Sequence, residues 1–307
     1  MGIIKKFKNR IEAYVEYTMD EQRYRNQFDV RAVWLTDKTL TTISQGIDTK
    51  LKINDLPVVV SLTTYGKRLH EVYLAIESMM QQTLLPSRII LWLSEELKQV
   101  PLPHLLQRQV KRGLEVKYCP DWKSYKKLIP TLKICPNDII ITIDDDVIYN
   151  YDTLELLIQS YLDYSDCVSC LWGHKINLDY NGRPLSYNKW QTVTDDFTPS
   201  TLTFPVGCAG ILYPPNSLDS EVLNVEAFSK LAPHADDVWF KSMSLKKAVS
   251  SRMVPNAIHE HQYYDNPLWQ DKGLTRTNVN QNANDIQFDA VLQKYCLFNQ
   301  LYSKKEH

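Results

Sequence analysis

Ile139-Ile140-Ile141-Thr142-Ile143-Asp144-Asp145-Asp146 joins a short β-branched apolar run to three consecutive carboxylates. The run is entered through Pro136-Asn137-Asp138 and has the length and composition of a buried β-strand. Three adjacent carboxylates repel one another, and one is pushed toward its protonated form unless a positive charge relieves it. A hard divalent cation carrying substrate phosphates is the natural relief, because Mg²⁺ uses one or two protein carboxylates plus phosphate oxygens. Side chains alternate along extended backbone, which predicts Asp144 and Asp146 on one face and Asp145 on the other. The competing reading is a solvated acidic turn that caps a helix over 152–161.

Upstream of this stretch, strand and helix patterns alternate. Pro57 to Thr63, Arg88 to Leu93 and Leu114 to Tyr118 read as strands. Helices are predicted over 68–82, 102–112 and 125–134. That alternation implies an α/β fold with a mostly parallel, Rossmann-like sheet flanked by helices. Ligands of such sheets bind outside the carboxyl ends of the strands. Thr63, Thr64 and Tyr65 are therefore expected on the same rim as Asp144–Asp146, although some eighty residues separate them. Downstream, strands are predicted at 167–172 and 211–213 and a helix over 235–247, and the Asn-rich 270–288 reads as a loop or lid.

The chain has 307 residues, 44% hydrophobic and 23% charged, which suits a globular protein with a sizeable core. A net charge of −1 supplies no basic field for nucleic acid. Among its six cysteines only Cys167 and Cys170 have CxxC spacing, and nothing completes a zinc set. No stretch of about 18 apolar residues and no signal-peptide pattern is evident, so a reducing cytoplasm is the expected location. Ile3, Ile4, Phe7, Ile11 and Tyr14 share a helical stripe interleaved with Lys5, Lys6, Lys8 and Arg10. Such a helix either rests on an anionic membrane surface or packs its stripe on the domain or a second subunit.

Several further segments carry chemistry. They are Val58-Val59-Val60-Ser61-Leu62-Thr63-Thr64-Tyr65, Ile76-Glu77-Ser78-Met79-Met80-Gln81-Gln82-Thr83 and Ser124-Tyr125-Lys126-Lys127-Leu128-Ile129-Pro130. Pro205-Val206-Gly207-Cys208-Ala209-Gly210 and Ala235-Asp236-Asp237-Val238-Trp239-Phe240 follow the acidic triplet. In this order, over about residues 57–265, they resemble the GT-A-fold glycosyltransferases, specifically the family 2-like bacterial enzymes of surface-polysaccharide biosynthesis. The resemblance implies a GT-A-like sheet. The helical pattern of 1–50 reads as an N-terminal extension, 55–265 as the glycosyltransferase domain and 266–307 as a C-terminal tail. Within the domain, 55–150 would form the nucleotide-binding half and 151–265 the acceptor half.

The resemblance also implies roles. Ser61, Thr63 and Tyr65 would hold the base and ribose of a nucleotide-sugar, and Lys126 and Lys127 its nucleotide or diphosphate. The family usually carries an Arg-Asn pair in that second segment, so the two lysines depart from it. The D-x-D carboxylates Asp144 and Asp146 would bind Mn²⁺ or Mg²⁺, with Asp144 approaching either ribose or metal and Asp145 on the nucleotide side. His259 or His261 is a candidate further ligand; a hydrogen-bonded surface pair is the alternative. Asp237, with Asp236, would be the base that takes the acceptor hydroxyl's proton in an inverting transfer, while helix capping is their non-catalytic role. Gly207 and Gly210 either let backbone approach the donor sugar or simply turn the chain. Trp172, Tyr187, Trp190 and Trp239 are candidates for stacking on sugars, although Trp239 suits a core better.

The resulting expectation is an inverting, metal-dependent enzyme. It would use a UDP-sugar and a glycan or lipid-linked acceptor, in the cytoplasm or at the inner membrane surface. A nucleotidyltransferase of similar architecture is the alternative, although its usual Gly-rich loop is missing: Thr63-Thr64-Tyr65-Gly66-Lys67-Arg68 has one glycine. A non-catalytic glycan-binding protein is the alternative of a different class.

Overall fold

The computed structural model of the protein describes residues 2–255, 263–265 and 283–301, with side chains described within 22–255 and 283–301. Its centre is a sheet of eight strands. In chain order they are β1 (Lys52–Ile53), β2 (Leu56–Thr63), β3 (Arg88–Ser94), β4 (Leu114–Cys119) and β5 (Ile139–Thr142), followed by β7 (Val168–Cys170), β10 (Ile211–Tyr213) and β11 (Ser251–Met253). Across the sheet the order is β11-β7-β10-β5-β2-β3-β4, and β1 pairs antiparallel with β2. β4, β3, β2 and β5 run parallel, as do β7 and β11. β10 is inserted antiparallel between β5 and β7. The sheet is thus mostly parallel, as its alternating pattern predicts.

Burial follows the two-residue period of the strands. Val58, Val60, Leu62, Ile89, Leu91, Ile139 and Ile141 share one apolar cluster. Val59, Ile90 and Trp92 face the other way, as does Ile140. Such two-sided burial requires helices on both faces. They are α2 (Tyr73–Met80), α3 (His104–Lys111), α4 (Ile129–Ile134), α5 (Thr153–Asp163), α6 (Val225–Leu231) and α7 (Asp236–Lys246). α8 (Ala283–Lys294) packs against α7. Two short pairs, β6 (Val147–Tyr149) with β12 (Tyr263–Asp265) and β8 (Gly173–Lys175) with β9 (Thr203–Pro205), lie outside the main sheet.

Three expectations change. The helix over 68–82 begins as a 3₁₀ turn, Gly66–His70, before α2. The one over 125–134 likewise splits into a 3₁₀ turn, Lys123–Lys127, and α4, because Pro130 has no N–H to continue a helix and suits its first turn. The segment read as a loop over 270–288 is helical from Ala283, where Phe288 enters the core; 266–282 lie outside the described residues.

The N-terminal helix α1 spans Gly2–Thr41. Phe28 and Leu35, two turns apart, are buried against Leu74 and Ile148. Thr39 Oγ1 donates to Glu77 Oε2 at 3.1 Å. Residues 22–41 of this helix therefore pack on the domain. No helix among the described residues is long and apolar enough to cross a membrane.

Candidate functional site

The register of β2 against β5 positions the acidic triplet. Ser61 pairs with Thr142, and Ile143 N–H donates to Ser61 O at 3.1 Å. Both strands then end on one rim, so Thr64 and Asp145 meet: Thr64 Oγ1 donates to Asp145 Oδ2 at 2.5 Å. Asp144–Asp146 form a turn between β5 and β6. Asp145 is buried, whereas the Asp144 and Asp146 side chains keep 30% and 27% exposure; the expected shared face of Asp144 and Asp146 is not found, because Asp146 meets the same Arg68 as Asp145 while Asp144 meets Lys127.

Two side-chain cations relieve the repulsion that the triplet's sequence implies. Arg68 Nη1 lies 2.9 Å from Asp145 Oδ1 and 3.0 Å from Asp146 Oδ2. Lys127 Nζ lies 2.8 Å from Asp144 Oδ1 and 3.1 Å from Asp236 Oδ2. Burial works against the Lys127 charge, but Asp144, Asp236 and Asp237 outweigh it and hold its pKa well above the usual value. Burial works against Arg68 in the same way, and Asp145 and Asp146 prevail. For Asp145, burial outweighs Arg68 and Thr64 and raises its pKa. Arg68 is the residue at this acidic rim that sequence reasoning missed. The signal was present: a buried carboxylate row needs nearby cations, and Arg68 follows closely on β2.

Asp236 and Asp237 open α7. Asp237 Oδ2 accepts the Gly207 N–H at 3.0 Å, and its Oδ1 has no hydrogen-bond partner among the described residues. Burial, then the neighbouring Asp236, raises its pKa to about 7, with Lys127 and the Gly207 N–H opposing. A Cβ on Gly207 would stand 2.8 Å from both Asp237 Oδ1 and Lys127 Nζ, so a side chain here would displace the carboxylate or the ammonium. Gly210 serves differently: its φ of +107° turns the chain into β10. Tyr149 links the two halves, accepting Asp144 N–H at 2.8 Å and donating to Cys208 O at 2.7 Å.

The remaining sequence-derived residues sort by exposure. Ser61 is fully buried; its hydroxyl donates to Lys127 O at 2.6 Å and meets Thr131 Oγ1 at 2.6 Å, so it braces the Lys127 turn instead of facing the rim. Thr63 Oγ1 donates to Trp92 O. Tyr65 is 60% exposed, with Arg68 5.2 Å from its ring centroid. Lys126 is buried and pairs with Asp121, away from the acids. Trp190 and Trp239 are core residues, while Trp172 and Tyr187 are only partly buried. His259 and His261 lie outside the described residues.

No group of three or more His, Cys, Asp or Glu side chains able to hold a metal ion occurs among the described residues. Mg²⁺ uses only one or two protein carboxylates alongside phosphate oxygens, and the partly exposed Asp146 and Asp144 are the ones that such an ion would reach.

No protein-family profile matches the chain, and no curated protein matches it. Among solved structures it is similar to residues 1–349 of TarS from S. aureus, at 15% identity over 82% of this chain and 76% of that one, TM-score 0.44. It is also similar to the mannosyltransferase PcManGT from Pyrobaculum calidifontis, in complex with GDP-Man and Mn²⁺, at 14% identity over 75% and 64% of the two chains, TM-score 0.42. A third similarity is to a CMP:2-keto-3-deoxy-manno-octonic acid synthetase complexed with CTP, at 13% identity over 74% and 98%, TM-score 0.38.

Proposed function

We propose that the protein is an inverting, metal-dependent glycosyltransferase. It moves a sugar from a nucleotide-sugar, with UDP as the first nucleotide to test, to a hydroxyl of a glycan or lipid-linked acceptor. The observation that carries this reading is the pairing of Asp237 and the acidic rim. A partly buried carboxylate, whose buried Oδ1 has no hydrogen-bond partner among the described residues, lies beside the lysine that holds the Asp144 end of the triplet.

In this reading Asp237 takes the acceptor hydroxyl's proton as that oxygen bonds to the anomeric carbon and the bond to the diphosphate breaks. A carboxylate whose pKa lies near 7 is matched to that task at neutral pH. Lys127 stays charged and fixes Asp144 and Asp236. Tyr65 offers an exposed ring for the base, and Asp146 and Asp144 would hold the divalent ion. When bound, that ion neutralises the leaving diphosphate. The basic N-terminal segment, Lys5 to Arg10, would bring the enzyme to an anionic membrane surface where a lipid-linked acceptor resides.

A thermal-shift screen of UDP-, GDP-, CMP- and dTDP-sugars, with and without Mn²⁺, tests the donor assignment. We expect one nucleotide class to raise the melting temperature, and more so with Mn²⁺. Turnover should release a nucleoside diphosphate; release of pyrophosphate from a nucleoside triphosphate would place the protein with the nucleotidyltransferases. No shift with any donor would favour a non-catalytic glycan binder.

A further inference from the structure

Two turns meet at the site. One is the acidic turn, Asp144–Asp146; the other is the 3₁₀ turn Gly207–Ala209, whose first N–H holds Asp237. Lys127 ties their surroundings together through side chains, reaching Asp144 and Asp236. A second tie runs through Tyr149 and takes hold of backbone at both ends. The Tyr149 hydroxyl accepts the Asp144 N–H at 2.8 Å and donates to Cys208 O at 2.7 Å. Cys208 follows Gly207 directly, and the Gly207 N–H reaches Asp237 Oδ2 at 3.0 Å. Asp144, Tyr149, the 207–208 backbone, Asp237, Asp236 and Lys127 thus form a closed circuit.

The Tyr149 ring is itself held fast. It is 1% exposed, in the apolar cluster that includes Leu157, Ala209 and Leu212. Its own N–H donates to Ser78 Oγ on α2 at 3.2 Å, and β6 is paired with β12. Gly210 passes beside the ring, where a Cβ would lie 4.0 Å from Tyr149 Cε1. Burial, then the Asp144 charge, hold the phenol's pKa well above its usual value, so the hydroxyl keeps the proton it donates to Cys208 O. Phenylalanine would fill the same apolar space, yet leave an N–H of one turn and a carbonyl of the other without this partner.

We propose that Tyr149 is a positioning residue: its hydroxyl fixes the turn that carries Asp237 against the turn that carries Asp144 and Asp146, and so sets the distance between the base and the diphosphate. The role in transfer rests on the reading of Asp237 as the base and of the triplet as the metal side; the coupling of the two turns does not. Transfer needs its reacting atoms about 3–3.5 Å apart, and a misplacement of about 1 Å can cost about 10²-fold in rate.

Tyr149→Phe tests this in two arms. Without substrate, amide hydrogen exchange of the whole protein, followed by NMR, should show the Asp144 and Gly207 amides exchanging about tenfold faster than in wild type, with Ile141 in the sheet unchanged. A Gly207 amide that keeps its wild-type rate overturns the proposal. So does a uniform acceleration that includes Ile141, because that reports global stability. In the transfer arm, kcat should fall about tenfold at saturating Mn²⁺ while the donor KM stays within about twofold. An unchanged kcat, or a loss confined to KM, overturns the role in transfer. If Tyr149→Phe does not fold, wild type decides: the Asp144 and Gly207 amides should open together across a urea series, and independent opening overturns the proposal. A loosened Gly207 amide in a protein whose wild type transfers no sugar would overturn the glycosyltransferase reading and leave the coupling of the two turns standing.

Discussion

Lys127 Nζ lies 3.1 Å from Asp236 Oδ2, and through this contact the start of α7 is tied to the end of β5. The same ammonium holds Asp144 at 2.8 Å, so one side chain from a 3₁₀ turn sets the spacing of two acidic motifs about ninety residues apart. Lys127→Met leaves these carboxylates without their cation. Removing one partner of a buried ion pair costs about 3–5 kcal/mol, and the partial exposure of Asp144 places the expected loss at the lower end. Urea unfolding measures it. A loss below about 1 kcal/mol would mean that Lys127 is not what offsets these charges.

Arg68 holds Asp146, the partly exposed acid of the triplet that a divalent ion would use. Ion and guanidinium therefore compete for one carboxylate. Arg68→Met should lower overall stability, because buried Asp145 loses its ion pair, while Mn²⁺ binds several-fold more tightly in the presence of UDP. Calorimetric titration of Mn²⁺ into wild type and variant, each with UDP, reads the difference directly. Weaker binding in the variant would instead assign Arg68 to the diphosphate.

The raised pKa of Asp237 makes opposite demands on stability and activity. Its folded value of about 7 lies above the unfolded carboxylate value. The folded state therefore holds this proton more tightly, and the associated stability is full below about pH 4 and lost as pH rises through 7. Asp237→Asn, which stays neutral, should melt higher than wild type at pH 8, and the gap should close toward pH 4. Activity runs the other way: wild-type transfer should rise with pH through about 7, and Asp236→Asn should move that limb lower by removing a like charge. A melting gap independent of pH would show that Asp237 is not titrating in this range.

The parallel core was legible because β2, β3 and β5 are buried on both faces and read as continuous apolar runs. The meeting of Thr64 with the triplet followed from strand ends alone. What sequence did not disclose was pairing in three dimensions. Adjacent Asp145 and Asp146 share Arg68, while Asp144 turns to Lys127, because the triplet is a turn and not continued strand. Lys126 and Lys127 look equivalent in sequence, yet one pairs with Asp121 and the other with the acids of the site; the 3₁₀ turn directs them apart. Ser61 sits in a motif whose resemblance implies ligand contact, but its position inside β2 buries it. Lys241, buried on α7, gave no sign of its burial, since a single lysine in a mixed helix is ordinarily solvated.

Glu77 is fully buried on α2, and both its oxygens lie 2.8 Å from Arg112 Nη1. Gln109 and Thr39 each donate to it at 3.1 Å and Gln81 at 2.8 Å, while Arg112 Nε donates to Ser44 O at 3.0 Å. One carboxylate thus fastens α1, α2 and the end of α3. Glu77→Met leaves a buried guanidinium uncompensated and should cost about 3–5 kcal/mol in urea unfolding. Arg112→Met should cost a similar amount. The double variant should recover part of the loss, because two apolar side chains replace a charge pair whose desolvation opposed its attraction. Strict additivity of the two single losses would show that the residues act separately. None of these partners belongs to the acidic rim, so proton limb and donor affinity should be unchanged in any of these variants that remains folded.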